Sequence, residues 1–183
     1  MMPDTSSSSP LNRRRLLCGC AGLALLGLAA CGRRDEPSAL RPQEIPAGAS
    51  CALDGMLLAD YPGPKGQILF AGEAQPQWFC DTVELLSMLL KPEQLREQRG
   101  AWVQDMALAD WERPVGHWVD ARQAFYVLGS RRHGSMGPTA ASFAEADKAQ
   151  AFAAQYGGQV HPFAQLKPEM VDLSGGALHD SRM

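Results

Sequence analysis

The feature that most constrains this chain is its start. Arg13 to Cys31 reads "RRRLLCGCAGLALLGLAAC", and everything from Leu16 to Ala30 is apolar or glycine. A run of about 15 such residues suits the core of an export signal and is shorter than the roughly 20 needed to span a bilayer as a helix. Small residues, Ala29 and Ala30, stand directly before Cys31 and suit cleavage better than an uncleaved anchor. A chain exported in this way must fold without residues 1–30, in a compartment that oxidises thiols.

"LAAC", Leu28 to Cys31, resembles the lipobox of bacterial lipoproteins, in which the cysteine becomes the acylated first residue of the mature chain. Arg13 and Arg14 followed by two leucines also resemble a twin-arginine export signal. Gly32 occupies the position where an Asp favours retention at the inner membrane, so localisation leans towards the outer membrane. Residues 31–49 then read as a polar, proline-bearing tether with too few apolar residues to form a core. Loss of residues 1–30 removes three of 17 basic residues and one of 20 acidic ones, leaving a formal charge of −5. Such a chain has no basic face for nucleic acid, and none is expected as a partner. Beyond the tether the chain is long enough for one compact domain or two very small ones.

The five cysteines divide accordingly. Cys18 and Cys20 leave with the signal and Cys31 takes the lipid. Only Cys51 and Cys80 remain, and in an oxidising compartment the default for such a pair is a disulfide.

The domain itself reads as two similar runs of elements. "MLLAD", "YPGPKG" and "QILFAG" read as strand, turn, strand. Asp81 with Glu84 makes a capping-box-like helix start, Lys91-Pro92 stops the helix, "PEQLREQRG" adds a helical turn, and "AWVQDMAL" returns as a strand. In the second run "AFYVLGS" is a strand, "RRHGSMGP" a glycine-rich connection and "TAAS" a short strand. Ser142 with Glu145 opens a helix with Ala149, Phe152, Ala153 and Tyr156 on one face; Gly157-Gly158 closes it, and "QVHPFAQL" is the last strand. The expected class is α+β: two tandem β-β-α-β units, 50–113 and 114–170, packed together because neither alone buries much core, with a tail at 171–183.

Within "CALDGMLLAD", a thiol (Cys51) and a thioether (Met56) are five positions apart. On one unbroken strand they would face opposite ways, but a turn at Asp54-Gly55 can bring them together. Soft sulfur donors of this kind select Cu(I) over hard cations, and the short repeated Cys/His spacings typical of zinc sites are absent from the sequence. Met136 in "HGSMGPT" is the best third ligand, because nothing around it offers a helical or strand face to fill. His133 is an alternative donor. Met88 and Met106 read as core residues, Cys80 as a buried free thiol, His117 and His161 as structural or solvated, and His179, Asp180 and Met183 as part of a mobile end. No nucleophile elbow, phosphate loop or H-E-x-x-H motif is present, so no enzyme is expected.

"CALDGMLLADYPGPKGQI", "FCDT", "VQDMA", "GHWVDARQAFYV", "GSMGPT" and "GGALHDSRM", in that order behind a lipobox, closely resemble the NosL family. The resemblance implies a periplasmic, lipid-anchored Cu(I) chaperone supplying the copper centres of nitrous oxide reductase together with the NosD-NosF-NosY membrane assembly complex. It implies a duplicated β-β-α-β fold related to part of organomercurial lyase, with Cys51, Met56 and Met136 as metal ligands and Cys31 as the lipidated residue. Family members often read C-x-x-C-G-M at the clip. Asp54 stands here in the second cysteine's place, which removes a two-thiolate site and leaves more of the load on methionine. Two rival functions remain: a metal-free adaptor in the same assembly complex, and a metal-dependent lyase acting on a soft metal–carbon bond.

Overall fold

The computed structural model describes residues 40–91, 93–135 and 137–173. The signal segment, Cys31, Met136 and the tail beyond residue 173 lie outside the described residues. The class is α+β, and each half has its own antiparallel sheet. The first half contributes β1 (Gly66–Phe70), β2 (Gln77–Phe79), α1 (Thr82–Leu90) and β3 (Gln98–Gln104), joined at the sheet edge by β4 (Trp118–Asp120). The second contributes β5 (Phe125–Leu128), a two-stranded ribbon of β6 (His133–Gly134) and β7 (Gly137–Pro138), then β8 (Ala141–Phe143), α2 (Ala146–Tyr156) and β9 (Gln159–Pro162).

The duplication is clearest in the strand order. One sheet runs β2-β1-β3-β4 and the other β8-β5-β9, so each unit's first strand is central, flanked by the short strand before its helix and the strand after it. Both units feed one core. Ile68, Phe70, Phe79, Leu85, Leu86 and Val103 from the first half pack with Ala124, Tyr126, Ala140, Leu166 and Val171 from the second.

Local signals account for the helices. Asp81 is the N-cap of α1 and accepts from Val83 N at 2.9 Å. The helix ends at Leu90 with Lys91 extended, as expected for a residue before proline. Gly157 closes α2 at φ 79°, its N–H bonding the carbonyl of Ala153.

Several expected boundaries are corrected. "MLLAD" is not a strand: Leu58–Asp60 is a 3-10 turn, preceded by a single bridge between Ser50 and Leu57. The buried Lys65 explains this, because its Nζ donates to the carbonyls of Tyr61, Pro62 and Cys80 at 2.8–3.0 Å and gathers "YPGPK" around itself. Ser142 does not open α2. It is a buried β8 residue whose hydroxyl donates to the Gln104 carbonyl at 2.6 Å, and the helix begins after Glu145. The helical turn expected over "PEQLREQRG" is not found among its described residues, where 93–97 are turn and irregular chain; β3 begins at Gln98 and ends at Gln104, so Met106 packs from a turn. Strands β2 and β4 have three residues each, too few to show a period.

The end of the stretch read as a tether lies against the domain. The Gln67 side chain bonds both the N–H and the carbonyl of Gln43, at 2.9 and 2.8 Å, and Ile45 and Ala49 pack beside Cys51.

Candidate metal centre

The site begins with the turn at residues 50–57. The bridge between Ser50 and Leu57, and the bond from Cys51 N to the Met56 carbonyl at 2.8 Å, set Cys51 and Met56 opposite each other across the turn. Opposed residues leave an antiparallel pair on the same face, which resolves the parity problem in the sequence. Gly55 takes φ 76°, which a side chain would disfavour, and the Asp54 carboxylate accepts from Met56 N at 2.9 Å to close the turn. Cys51 is buried. The half-buried Met56 packs against the cluster of Cys51, Leu58, Trp78 and Cys80.

The second thiol comes from the junction of β2 and α1. Cys80 is fully buried, and no disulfide joins it to Cys51. Glu84, on the first turn of α1, places Oε2 3.1 Å from Cys51 Sγ and 3.4 Å from Cys80 Sγ. Asp54 Oδ2 lies 4.0 Å from Cys80 Sγ. One donor atom from each of Cys51, Asp54, Cys80 and Glu84 falls within 4.8 Å of every other. The capping-box expectation is therefore half right: Asp81 caps the helix, while Glu84 is drawn to the two thiols.

The second half closes the site through the chain on either side of Met136. Ser135 Oγ lies 3.2 Å from Cys80 Sγ, Ser135 N donates to Asp81 Oδ2 at 3.2 Å, and Thr139 Oγ1 donates to Asp81 Oδ1 at 2.6 Å. Gly134 has to be glycine, since a Cβ there would land on the buried Asp81 carboxylate. Gly63 lies close by, where an added Cβ would come within 3.1 Å of Gly134 Cα, so the two glycine-rich connections of the duplicated units meet beside the thiols.

Burial and proton sharing set the charges. Cys51 is pulled down to about 6, chiefly by the hydrogen bond from Cys80, whose own thiol is pushed up by that bond and by burial. Burial first, and Cys51 next to it, push Glu84 up to about 8. Burial raises Asp81 to about 6 against the bonds it accepts from Thr139 and Val83. Lys65 is lowered by desolvation, while the acidic groups around it oppose the shift. At neutral pH the cluster thus favours one thiolate beside a protonated carboxyl. A cation entering it would displace the remaining protons.

The site brings Cys51 and Met56 together as the sequence argument expects. Met136 lies outside the described residues. His133 is exposed and joins the structure through its carbonyl, which accepts from Trp111 Nε1 at 3.2 Å. Asp54 in place of a cysteine does not exclude a second thiol, because Cys80 supplies one from 29 positions along the chain. Sequence reasoning missed the roles of Cys80 and Glu84. The available signal was their i, i+4 spacing at a helix start, a weak one, since Cys80 is also a plausible core residue and Glu84 a plausible cap partner.

Fold and site together define a duplicated α+β domain with a buried two-thiol cluster at the meeting point of its two units. The chain belongs to the NosL family, whose model matches residues 42–171. It is 37% identical over 166 residues to the copper-binding lipoprotein NosL of Stutzerimonas stutzeri, covering 87% of this chain and 86% of that one. It is 37% identical over 163 residues to the protein of the same name from Achromobacter cycloclastes, covering 87% and 83%. The crystal structure of the copper chaperone NosL from Shewanella denitrificans matches with a TM-score of 0.65 at 36% identity, over 69% of this chain and 96% of that one. Among the described residues no helix is long and apolar enough to cross a membrane.

Proposed function

We propose that this protein is a periplasmic Cu(I) chaperone, anchored by lipid at Cys31, that supplies copper for the copper centres of nitrous oxide reductase. The observation that carries this is the convergence of two buried thiols with Met56 packed against them. Thiolate and thioether are the donors that favour Cu(I), and no imidazole among the described residues joins the cluster. Cys51 and Met56 are the ligands from the first half, with Cys80 beside them. Met136 is the ligand from the second half, a role supported by its place in the chain next to Ser135, whose hydroxyl touches Cys80. The names of the relatives, a copper-binding lipoprotein and a copper chaperone, agree with this cargo and with the anchor.

A carrier must also release its ion. Neutral thioethers exchange readily, whereas a site made only of thiolates would trap copper. The turn that carries Cys51 and Met56 shows Leu53 and Leu57, each more than two-fifths exposed, on its outer side. Such a rim suits docking of a partner that offers competing donors, and the NosD-NosF-NosY assembly complex is the proposed recipient. Transfer by ligand exchange forms no covalent intermediate, in keeping with a non-enzymatic carrier.

The test is a Cu(I) titration of the reduced chain against a chromophoric chelator, with X-ray absorption to count sulfur neighbours. One tightly held ion with two or more sulfurs is expected, and Cys51→Ser should weaken it at least about a hundredfold while leaving the fold intact. Unchanged affinity in that variant would overturn the assignment, and a chain that takes up no stoichiometric ion would favour the metal-free adaptor.

A further inference from the structure

Two walls flank the thiols, and they are held very differently. The clip turn is tied internally by Cys51 N to the Met56 carbonyl at 2.8 Å, Gly55 N to the Cys51 carbonyl at 3.0 Å and Met56 N to the Asp54 carboxylate at 2.9 Å. Ala52 N, donating to the Trp78 carbonyl at 2.7 Å, fastens that turn to β2. The other wall is the strap of residues 40–49, whose Ile45 and Ala49 pack against the cluster of Cys51, Leu58, Trp78 and Cys80. Among the described residues, only two hydrogen bonds tie residues 40–48 to the rest of the domain, and the Gln67 side chain makes both. Its Oε1 accepts from Gln43 N at 2.9 Å, and its Nε2 donates to the Gln43 carbonyl at 2.8 Å.

Gln67 is an unusual residue for its place. It is fully buried on the central strand β1, opposite Trp78 and Trp102, on the face turned away from the Ile68 and Val103 side of the main core. A buried amide costs stability unless its groups are bonded, and here a single strap residue satisfies both of them. An apolar side chain would hold the strap by packing alone. An amide holds it by bonds that water replaces once the strap lifts, so opening is cheap. The means to move are present as well. Gly48, at φ 76° in the turn that Ala49 N closes on the Pro46 carbonyl, offers a hinge, and the groove between Ile45–Ala49, Leu57 and Val115 gives the strap room.

We propose that residues 40–48 are a lid over the two thiols and that Gln67 is the positioning residue that keeps it shut. Copper and competing donors then reach Cys51 when the strap lifts, while the clip turn stays closed. The copper half of this statement rests on the carrier reading above; the lid itself does not. The strap is also where the chain arrives, in sequence, from Cys31, so a pull on the proposed anchor acts on the lid before it reaches the clip.

The reduced, metal-free full chain is treated with iodoacetamide across a range of low urea concentrations, and alkylation of Cys51 is followed by mass spectrometry. Slow modification that barely depends on urea is expected, the mark of a local opening that exposes little surface. Gln67→Leu keeps most of the side chain's bulk and removes both bonds. It should speed alkylation at least about fivefold, with the weak urea dependence retained. Ile45→Ala, on the half-buried strap, should speed it about threefold even if Gln67→Leu folds poorly. An acceleration that follows urea as steeply as global unfolding would mean that Gln67 acts through stability alone, and would overturn the proposal; so would an unchanged rate in both variants. Loaded with Cu(I), the same variants should pass copper to a chromophoric chelator faster by a similar factor, while equilibrium affinity changes less than about twofold, since the strap supplies no ligand. Unchanged transfer beside faster alkylation would remove the lid from the copper path. A chain that takes up no copper would instead sink the carrier reading and leave the alkylation result to decide the lid.

Discussion

The two halves share a strand order and divide the work. The first half buries Lys65, Gln67, Asp81, Glu84, Gln104 and Asp105 along with both thiols, a costly polar interior. The second half buries few such groups and is stapled by aromatic contacts instead. Phe152 lies 5.1 Å from Phe143 and 4.7 Å from Tyr156, and Trp111, at the end of the first half, stacks on it at 5.5 Å with the Arg132 guanidinium 4.5 Å from its ring. One copy of the fold carries chemistry and the other carries stability, apart from the connection around Met136 that the second lends to the first.

The strongest way to break that division is to damage each half in turn. Cys51→Ser should abolish most Cu(I) affinity and move the melting temperature by only a few degrees. Phe152→Ala should do the opposite, lowering stability by about 3 kcal/mol, as for truncation of a packed aromatic, with Cu(I) affinity unchanged. Urea unfolding and chelator competition on the same two variants check both arms. A large loss of affinity in the Phe152 variant would mean that the halves are not separable.

Gly134→Ala probes the seam between the halves. The added methyl meets the Asp81 carboxylate, which is buried and already bonded to Thr139, Ser135 and Val83. Relief requires the 133–138 ribbon to move away. The expected cost is about 2 kcal/mol, typical of overpacking, and this variant, unlike Phe152→Ala, should also weaken Cu(I) by shifting Met136. Normal copper affinity in the folded variant would argue against Met136 as a ligand.

The two halves also differed in how much the sequence disclosed. Helix α2 and its stripe were legible because Ala149, Phe152, Ala153 and Tyr156 repeat at helical spacing and two glycines end it. The class and the Cys51–Met56 clip were legible for similar local reasons, whereas the first unit's opening strand was not, since "MLLAD" forms a 3-10 turn and β2 takes its place in the sheet. The other side of the metal centre was not. Cys80 and Glu84 reach Cys51 only after β2, too short to show a period, has been paired with β1. Lys65 hid a further rule, since a lysine is expected at the surface, and a buried one reshaped the loop that had been expected to join two strands.

The last expected effect lies in the pH dependence of the metal-free protein, where the carboxylates of the first half leave a signature that the second half lacks. Glu84 rises from 4.5 to about 8 on folding, and Asp81 from 3.8 to about 6. A group raised in this way stabilises the fold fully below its unfolded value and loses that contribution as pH climbs through the folded one. Cys51 has the opposite sign: it falls from 9.0 to about 6, so its contribution is complete above 9 and lost as pH falls through 6. Between about pH 4.5 and 6 both carboxylates act in one direction while Cys51 is still a thiol, and stability should fall as pH rises. From about 6 to 8 the Cys51 thiolate offsets the continuing loss from Glu84, and the curve should flatten. Glu84→Gln removes one of the opposing contributions, so the stability difference between the unmodified chain and this variant should shrink steadily from pH 4.5 to 8. Thermal melts of both proteins across that range, with chelator present, measure it. A difference that stayed constant would mean that the Glu84 carboxyl titrates normally, and that the first half buries its acid far less tightly than its contacts with the two thiols require.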